Sequence, residues 1–203
     1  MHLTSGTTGK PVLICDTAED WNGFVHMYAR SLYGMGVRNT DMFMAAFGYG
    51  PWIGYWSSFH AAMELNTLVI PAGGISTDQR IDWLLTYPIT VLGCTCSYAL
   101  FLAEAAKKRG IDLAKESKVR ITFHTGEPGA HIPATKRLIE EAFGAKCFDL
   151  PGLTEVAAWG FECEAQSGQV HVHEDYVYPE VLDIETHEPV KPGEKGELVF
   201  TSL

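Results

Sequence analysis

The densest chemistry in the sequence lies near its start, in Thr4-Ser5-Gly6-Thr7-Thr8-Gly9-Lys10-Pro11. Four hydroxyls, two glycines and a lysine within eight residues offer side-chain donors, exposed backbone N–H groups and a cation, the set that a polyphosphate requires. It is not a Walker A loop. The glycine spacing is too short, Pro11 follows the lysine, and Val12 to Cys15 reads as a strand rather than a helix. The plainer alternative is a hairpin turn, which rarely needs so many hydroxyls.

Two more polar groups sit just past apolar runs. Thr125-Gly126-Glu127-Pro128 follows Val119 to Phe123, and Asp149-Leu150-Pro151-Gly152-Leu153-Thr154-Glu155 follows Lys146 to Phe148. Ligands of an open α/β sheet bind outside the carboxyl ends of its strands, where such turns fall. Taken alone, Glu155 is equally a carboxylate at a turn or helix start. Gly48 and Gly50 flank Tyr49, which suits close approach of an aromatic acid; a packed tyrosine in a strand-to-helix turn fits as well. His171 and His173, two apart on an expected strand, share a face, and Cys163 precedes them by a hairpin's length. Cys94, Cys96, His124 and Cys147 fall near other strand ends. Structural zinc on Cys163 and His171, completed by two of these, would need four ligands; scattered buried thiols and surface histidines are the alternative.

The elements that must position these groups alternate. Thr17 with Asp20 makes a capping-box start, after which Trp21, Phe24, Val25, Tyr28, Ala29 and Leu32 recur at helical spacing until Gly34 and Gly36. Strands are expected at 41–47, 67–70, 90–94, 119–123 and 146–148, and helices at 52–65, 77–86, 97–109 and 134–143. This predicts an α/β fold: a mainly parallel sheet with flanking helices over residues 1–160. From 161 to 203 the pattern becomes short strands and turns (170–172, 176–183 and 197–203), a smaller antiparallel β subdomain. The loop at residue 4 leaves no element in front of it, and the last strand stops abruptly, so the chain reads as cut from a larger protein.

Composition sets bounds. The 203 residues are 46% hydrophobic and 20% charged, which is globular rather than disordered. A net charge of −10 argues against a nucleic-acid-binding surface but allows a local phosphate nest. No apolar run reaches the roughly 18–20 residues of a membrane span, and no signal-peptide pattern opens the chain. Five cysteines without a framework spacing fit a reducing, cytoplasmic setting.

Taken together, the motifs resemble a known family. The residue 4–11 loop resembles the phosphate-binding signature of the acyl-adenylate-forming (AMP-forming ligase) superfamily, which includes acyl- and aryl-CoA ligases, luciferases and adenylation domains. Residues 149–155 resemble its aromatic-Gly-x-Thr-Glu segment, and residues 125–128 a third block in the family's order. With Phe47 to Gly50, Phe161 to Cys163 and His171 to Asp175, the chain looks most like the phenylacetate–CoA ligase branch over essentially its whole length. The resemblance implies part of the large N-terminal domain of an enzyme that activates a carboxylic acid, an aryl acid in this branch, with ATP and Mg²⁺ and passes it to CoA. It further implies Thr154 on the α-phosphate and Glu155 on Mg²⁺ as catalytic groups. Gly126, Glu127 and Pro128, with Asp149, Leu150, Pro151 and Gly152, would line the adenine, and Tyr49 and Gly126 the acid. The family usually has an aromatic residue where Pro151 stands. Its ribose-binding aspartate, hinge and catalytic lysine would lie beyond Leu203 on a C-terminal domain, so Lys10 is not that lysine. The alternative is a nucleotide- or acyl-binding module without chemistry, or one half of a split or degenerate ligase.

Overall fold

A computed structural model describes residues 1–4, 6, 9–48 and 50–203. In chain order the elements are β1 (His2–Leu3), β2 (Leu13–Ile14), α1 (Ala18–Gly34), β3 (Met42–Ala45), α2 (Ile53–Glu64), β4 (Leu68–Pro71) and α3 (Thr77–Thr86). Then come β5 (Val91–Cys94), α4 (Cys96–Lys108), α5 (Leu113–Glu116), β6 (Ile121–His124), α6 (Pro133–Phe143) and β7 (Lys146–Asp149). The last four are β8 (Gly160–Cys163), β9 (Gln166–Val172), β10 (Val177–Leu182) and β11 (Glu197–Ser202).

The central sheet has five parallel strands in the order β4-β3-β5-β6-β7. Side chains alternate across a strand, and that alternation divides the core into two layers. Phe43, Ala45, Val91, Ile121, Phe123 and Phe148 face the layer with α1 and α2. Met44, Leu92, Cys94 and Cys147 face the other, with α3, α4 and α6. Gly93 lets the first layer close: a Cβ there would collide with the Phe123 ring, which stacks on Phe43 across β5 with centroids 5.6 Å apart.

The helix boundaries have local causes. Thr17 Oγ1 accepts from Asp20 N at 3.1 Å while the Asp20 carboxylate accepts from Thr17 N at 2.8 Å, satisfying donors that a helix start leaves free. The Thr17 N–H and the Thr17 hydroxyl, which also donates to the carboxylate at 2.8 Å, hold the Asp20 carboxyl below its ordinary range. Ser76 and Gln79 repeat the device on α3. Gly144, with φ 61°, ends α6 in the left-handed turn that glycine favours.

Two expectations are corrected, and one element was not anticipated. An element does precede the first loop, since β1 pairs antiparallel with β2. α5 is a single turn, too short and too polar to show apolar periodicity. β9 begins at Gln166, ahead of the expected start at 170, and carries Gly168 within it at φ 83°. The β8–β9 and β10–β11 pairs are antiparallel, as the change of pattern after residue 160 suggests. Arg30 holds the segment after β9 to α1 through Asp175 at 2.9 and 2.6 Å. Trp159 packs on Phe200 with ring centroids 4.6 Å apart. No helix among the described residues is long and apolar enough to cross a membrane.

Candidate functional site

The strand order creates a crevice. From β3 the chain moves outward to β4, then crosses back to β5 on the other side of β3. The connections therefore diverge beyond the carboxyl ends of β3 and β5, the switch point at which doubly wound sheets bind ligands. A cleft of about 580 Å³ lies there. Tyr28, Phe47, Trp52 and Tyr55 give it aromatic walls, while Thr4, Thr95, Thr125 and Thr154 give it hydroxyls.

Each polar group is set by its element. Thr4 continues the β1–β2 hairpin: its N donates to Val12 O at 3.0 Å, and its Oγ1 accepts from Val12 N at 2.9 Å. Gly6 has φ +65°, and a Cβ there would come 2.8 Å from the Pro11 ring, so the loop needs glycine at that turn. Thr125 follows β6 and hydrogen-bonds the Tyr28 hydroxyl, which is fully buried and pushed up by that burial. Thr154 and Glu155 ride a tight turn closed by Leu153 N donating to Ala157 O at 2.9 Å. That turn presses on Gly152, where a Cβ would stand 2.8 Å from the Ala157 carbonyl oxygen.

The structure gathers Thr4, Gly126, Gly152, Thr154 and Glu155 in this one lining. Ser5, Thr7, Thr8 and Tyr49 lie outside the described residues. Gly6, Gly9 and Lys10 belong to the same loop but do not line the cleft, and Lys10 is exposed.

Glu127, Pro128, Asp149, Leu150 and Pro151 also fall outside the lining. Glu127 instead accepts from Ser97 N at 2.5 Å, a carboxylate placed at the positive end of α4. Leu150 is wholly buried in the core. Asp149 is buried beside His131 at 3.4 Å, and burial raises its carboxyl above the ordinary range. Tyr28, Gly54, Tyr55 and Thr95 line the cleft without having stood out in the sequence. Their signals were weak ones: a hydroxyl on the apolar face of α1, a glycine and a tyrosine in the first turn of α2, and the N-cap of α4.

Glu155 borders a second, larger cavity of about 860 Å³ between α1 and the β10–β11 pair. Its other carboxylates include Asp16, Glu19, Asp20 and Glu64, a field that repels a polyphosphate. The smaller cleft, with hydroxyls, backbone turns and a single carboxylate, is the better match to an anionic nucleotide. At its edge, the exposed Glu155 carboxylate and the Thr154 hydroxyl are hard oxygen donors of the kind that suit Mg²⁺.

The zinc set expected from the sequence is not assembled. Cys163 Sγ does meet His171 Nε2, at 3.1 Å, but no group of three or more metal-ligating side chains converges among the described residues. His124 is fully buried on β6, its ring nitrogens 3.1 Å from Cys94 O and 3.0 Å from Thr122 Oγ1. His173 is buried with its Nε2 3.0 Å from Ser31 Oγ. Burial lowers both imidazoles to about 4.

Comparison with known proteins shows the family. Residues 1–202 match the family model described as AMP-binding enzyme. The chain is 34% identical to phenylacetate–coenzyme A ligase of Pseudomonas putida, over 100% of this chain and 46% of that protein. It is 35% identical to the ligase of the same name from Thermus thermophilus, over 100% of this chain and 45% of that protein. A crystal structure of 2-hydroxyisobutyryl-CoA ligase in complex with 2-HIB-AMP and CoA superposes with a TM-score of 0.91 at 30% identity, covering 99% of this chain and 43% of that one. The chain thus spans about half the length of the curated relatives it matches. It belongs to the AMP-binding enzyme family.

Proposed function

We propose that this chain supplies the nucleotide- and acid-binding part of an ATP-dependent acid–CoA ligase whose acid is aromatic. In the reaction, a carboxylate oxygen attacks the α-phosphate of ATP, giving an acyl-adenylate and pyrophosphate. The CoA sulfur then attacks the acyl carbon and AMP departs. The observation that carries this reading is the convergence of Thr4, Gly126, Gly152, Thr154 and Glu155 on one cleft at the sheet's switch point.

In this reading residues 1–160 form the binding core and residues 161–203 a β-rich appendage. The Thr154 hydroxyl donates to an α-phosphate oxygen, and the loop at residues 4–11 holds the outer phosphates through backbone N–H groups and Lys10. Glu155 and Thr154 would hold Mg²⁺, which, when bound, neutralises charge on the phosphate oxygens. Gly126 and Gly152 let flat groups approach the backbone. The aromatic acid is favoured by the accessible rings of Phe47 and Trp52, with the buried Tyr28 and Tyr55 behind the cleft wall, since ring faces and edges suit a ring.

Catalysis here is positioning and charge neutralisation rather than proton transfer by the protein. Because the chain spans less than half of the relatives' length, the reading assigns it binding without repeated turnover on its own. Calorimetry with ATP–Mg²⁺ and pyrophosphate release with phenylacetate and hydroxylamine test both parts. Weak saturable binding without sustained release is expected. Absence of binding overturns the site, and robust turnover overturns the assignment to binding alone.

A further inference from the structure

The β8–β9 hairpin carries a pair that the ligase reading does not use. Cys163 Sγ lies 3.1 Å from His171 Nε2. Phe161 pairs with His171 across the ladder, and Cys163, two residues on, shares the face of Phe161. The register then slips between Phe161 and Cys163, an irregularity of the kind that re-aims a side chain. The His171 ring rests on Phe161 with centroids 5.3 Å apart. Phe161 in turn seats on Gly34, where any Cβ would collide with the ring. The imidazole is thus supported by packing on one side and open to solvent on the other, and Cys163 remains half-buried at the surface.

We propose that Cys163 and His171 form a covalent-modification site for soft carbon electrophiles, with His171 as the base. The S–H bond breaks and its proton passes to Nε2. The sulfur forms a bond to the electrophilic carbon, and the carbon's leaving group departs with its bonding pair. Among the described residues, none of the other four cysteines joins an accessible thiol to an imidazole: Cys94 has His124 Nδ1 at 3.9 Å, but inside the sheet. Cys94, Cys96 and Cys147 are buried; burial pushes Cys96 up to about 11 and Cys147 up to about 12, and Cys94 is raised as well. Cys15 is exposed and, among the described residues, has no imidazole hydrogen-bonded to it, so it serves as an internal standard.

The test is timed labelling of the whole chain with iodoacetamide at neutral pH, read by peptide mass mapping. Cys163 is expected to react about tenfold faster than Cys15, as a base-activated thiol does against an ordinary one. His171→Gln is expected to bring Cys163 to the rate of Cys15 while leaving Cys15 unchanged. Equal rates in the unaltered chain overturn the proposal, and that comparison does not depend on how the variant folds. A Cys163 rate indifferent to His171→Gln overturns it too. So does slow labelling that a chelator accelerates, which would make the pair metal ligands.

Discussion

At Gly152 a single added carbon has nowhere to go, because the Ala157 carbonyl oxygen would stand 2.8 Å from it. Gly152→Ala is therefore expected to lower stability by about 1–3 kcal/mol, the usual cost of overpacking, measured by urea unfolding, and to displace the Thr154–Glu155 turn. An unchanged midpoint would show that the turn yields freely. Three residues along, Glu155→Gln keeps the shape and removes the charge. In calorimetry it should weaken ATP binding with Mg²⁺ by about tenfold, about 1.4 kcal/mol, and leave metal-free binding nearly as it was. Equal losses with and without metal would remove Glu155 as a metal ligand. Both residues stood out in the sequence because glycine, threonine and glutamate are chemically conspicuous. Tyr28 did not, because a tyrosine on an apolar helix face looks the same whether its hydroxyl meets solvent, core or, as here, Thr125 in a cleft.

Elements whose signals are local were legible to within a residue or two. α3 runs from Thr77 to Thr86, as its spacing predicts, and the Thr17–Asp20 box opens α1 where the pattern places it. Replacing Thr17 with Ala should cost about 1 kcal/mol in a denaturant melt, and no loss would mean that α1 is held by packing alone. What the sequence did not disclose is pairing between distant segments. β1 is two residues long and exists only because β2 returns beside it. The start of β9 at Gln166 depends on Cys163 across a slipped register. The expected four-ligand set is not gathered among the described residues for the same reason: shared strand faces bring Cys163 to His171, but the tertiary fold places Cys94 with His124 inside the sheet and gives His173 to Ser31.

For the molecule as a whole, buried histidines set the acid limit. His124 and His173 sit at about 4 when folded, against 6.5 for an ordinary imidazole, and burial lowers His2 as well. Between those values the unfolded chain binds more protons, so stability is full above about pH 6.5 and declines as pH falls toward 4. The slope approaches about 1.4 kcal/mol per pH unit for each histidine; Asp149, raised by burial, works in the opposite sense. Urea midpoints at pH 7, 6 and 5 should fall in that order, and a flat series would mean that these rings are charged or solvated in the fold. The strand order has a consequence of another kind. β5 and β6 are fully buried and bonded on both sides, so their amide protons can trade with deuterium only when the whole sheet comes apart. β10 and β11 bond as a two-stranded sheet of their own, and a ribbon of two strands is marginal without support. Its amides should exchange through local opening, orders of magnitude sooner, while those of the central parallel strands stay protected.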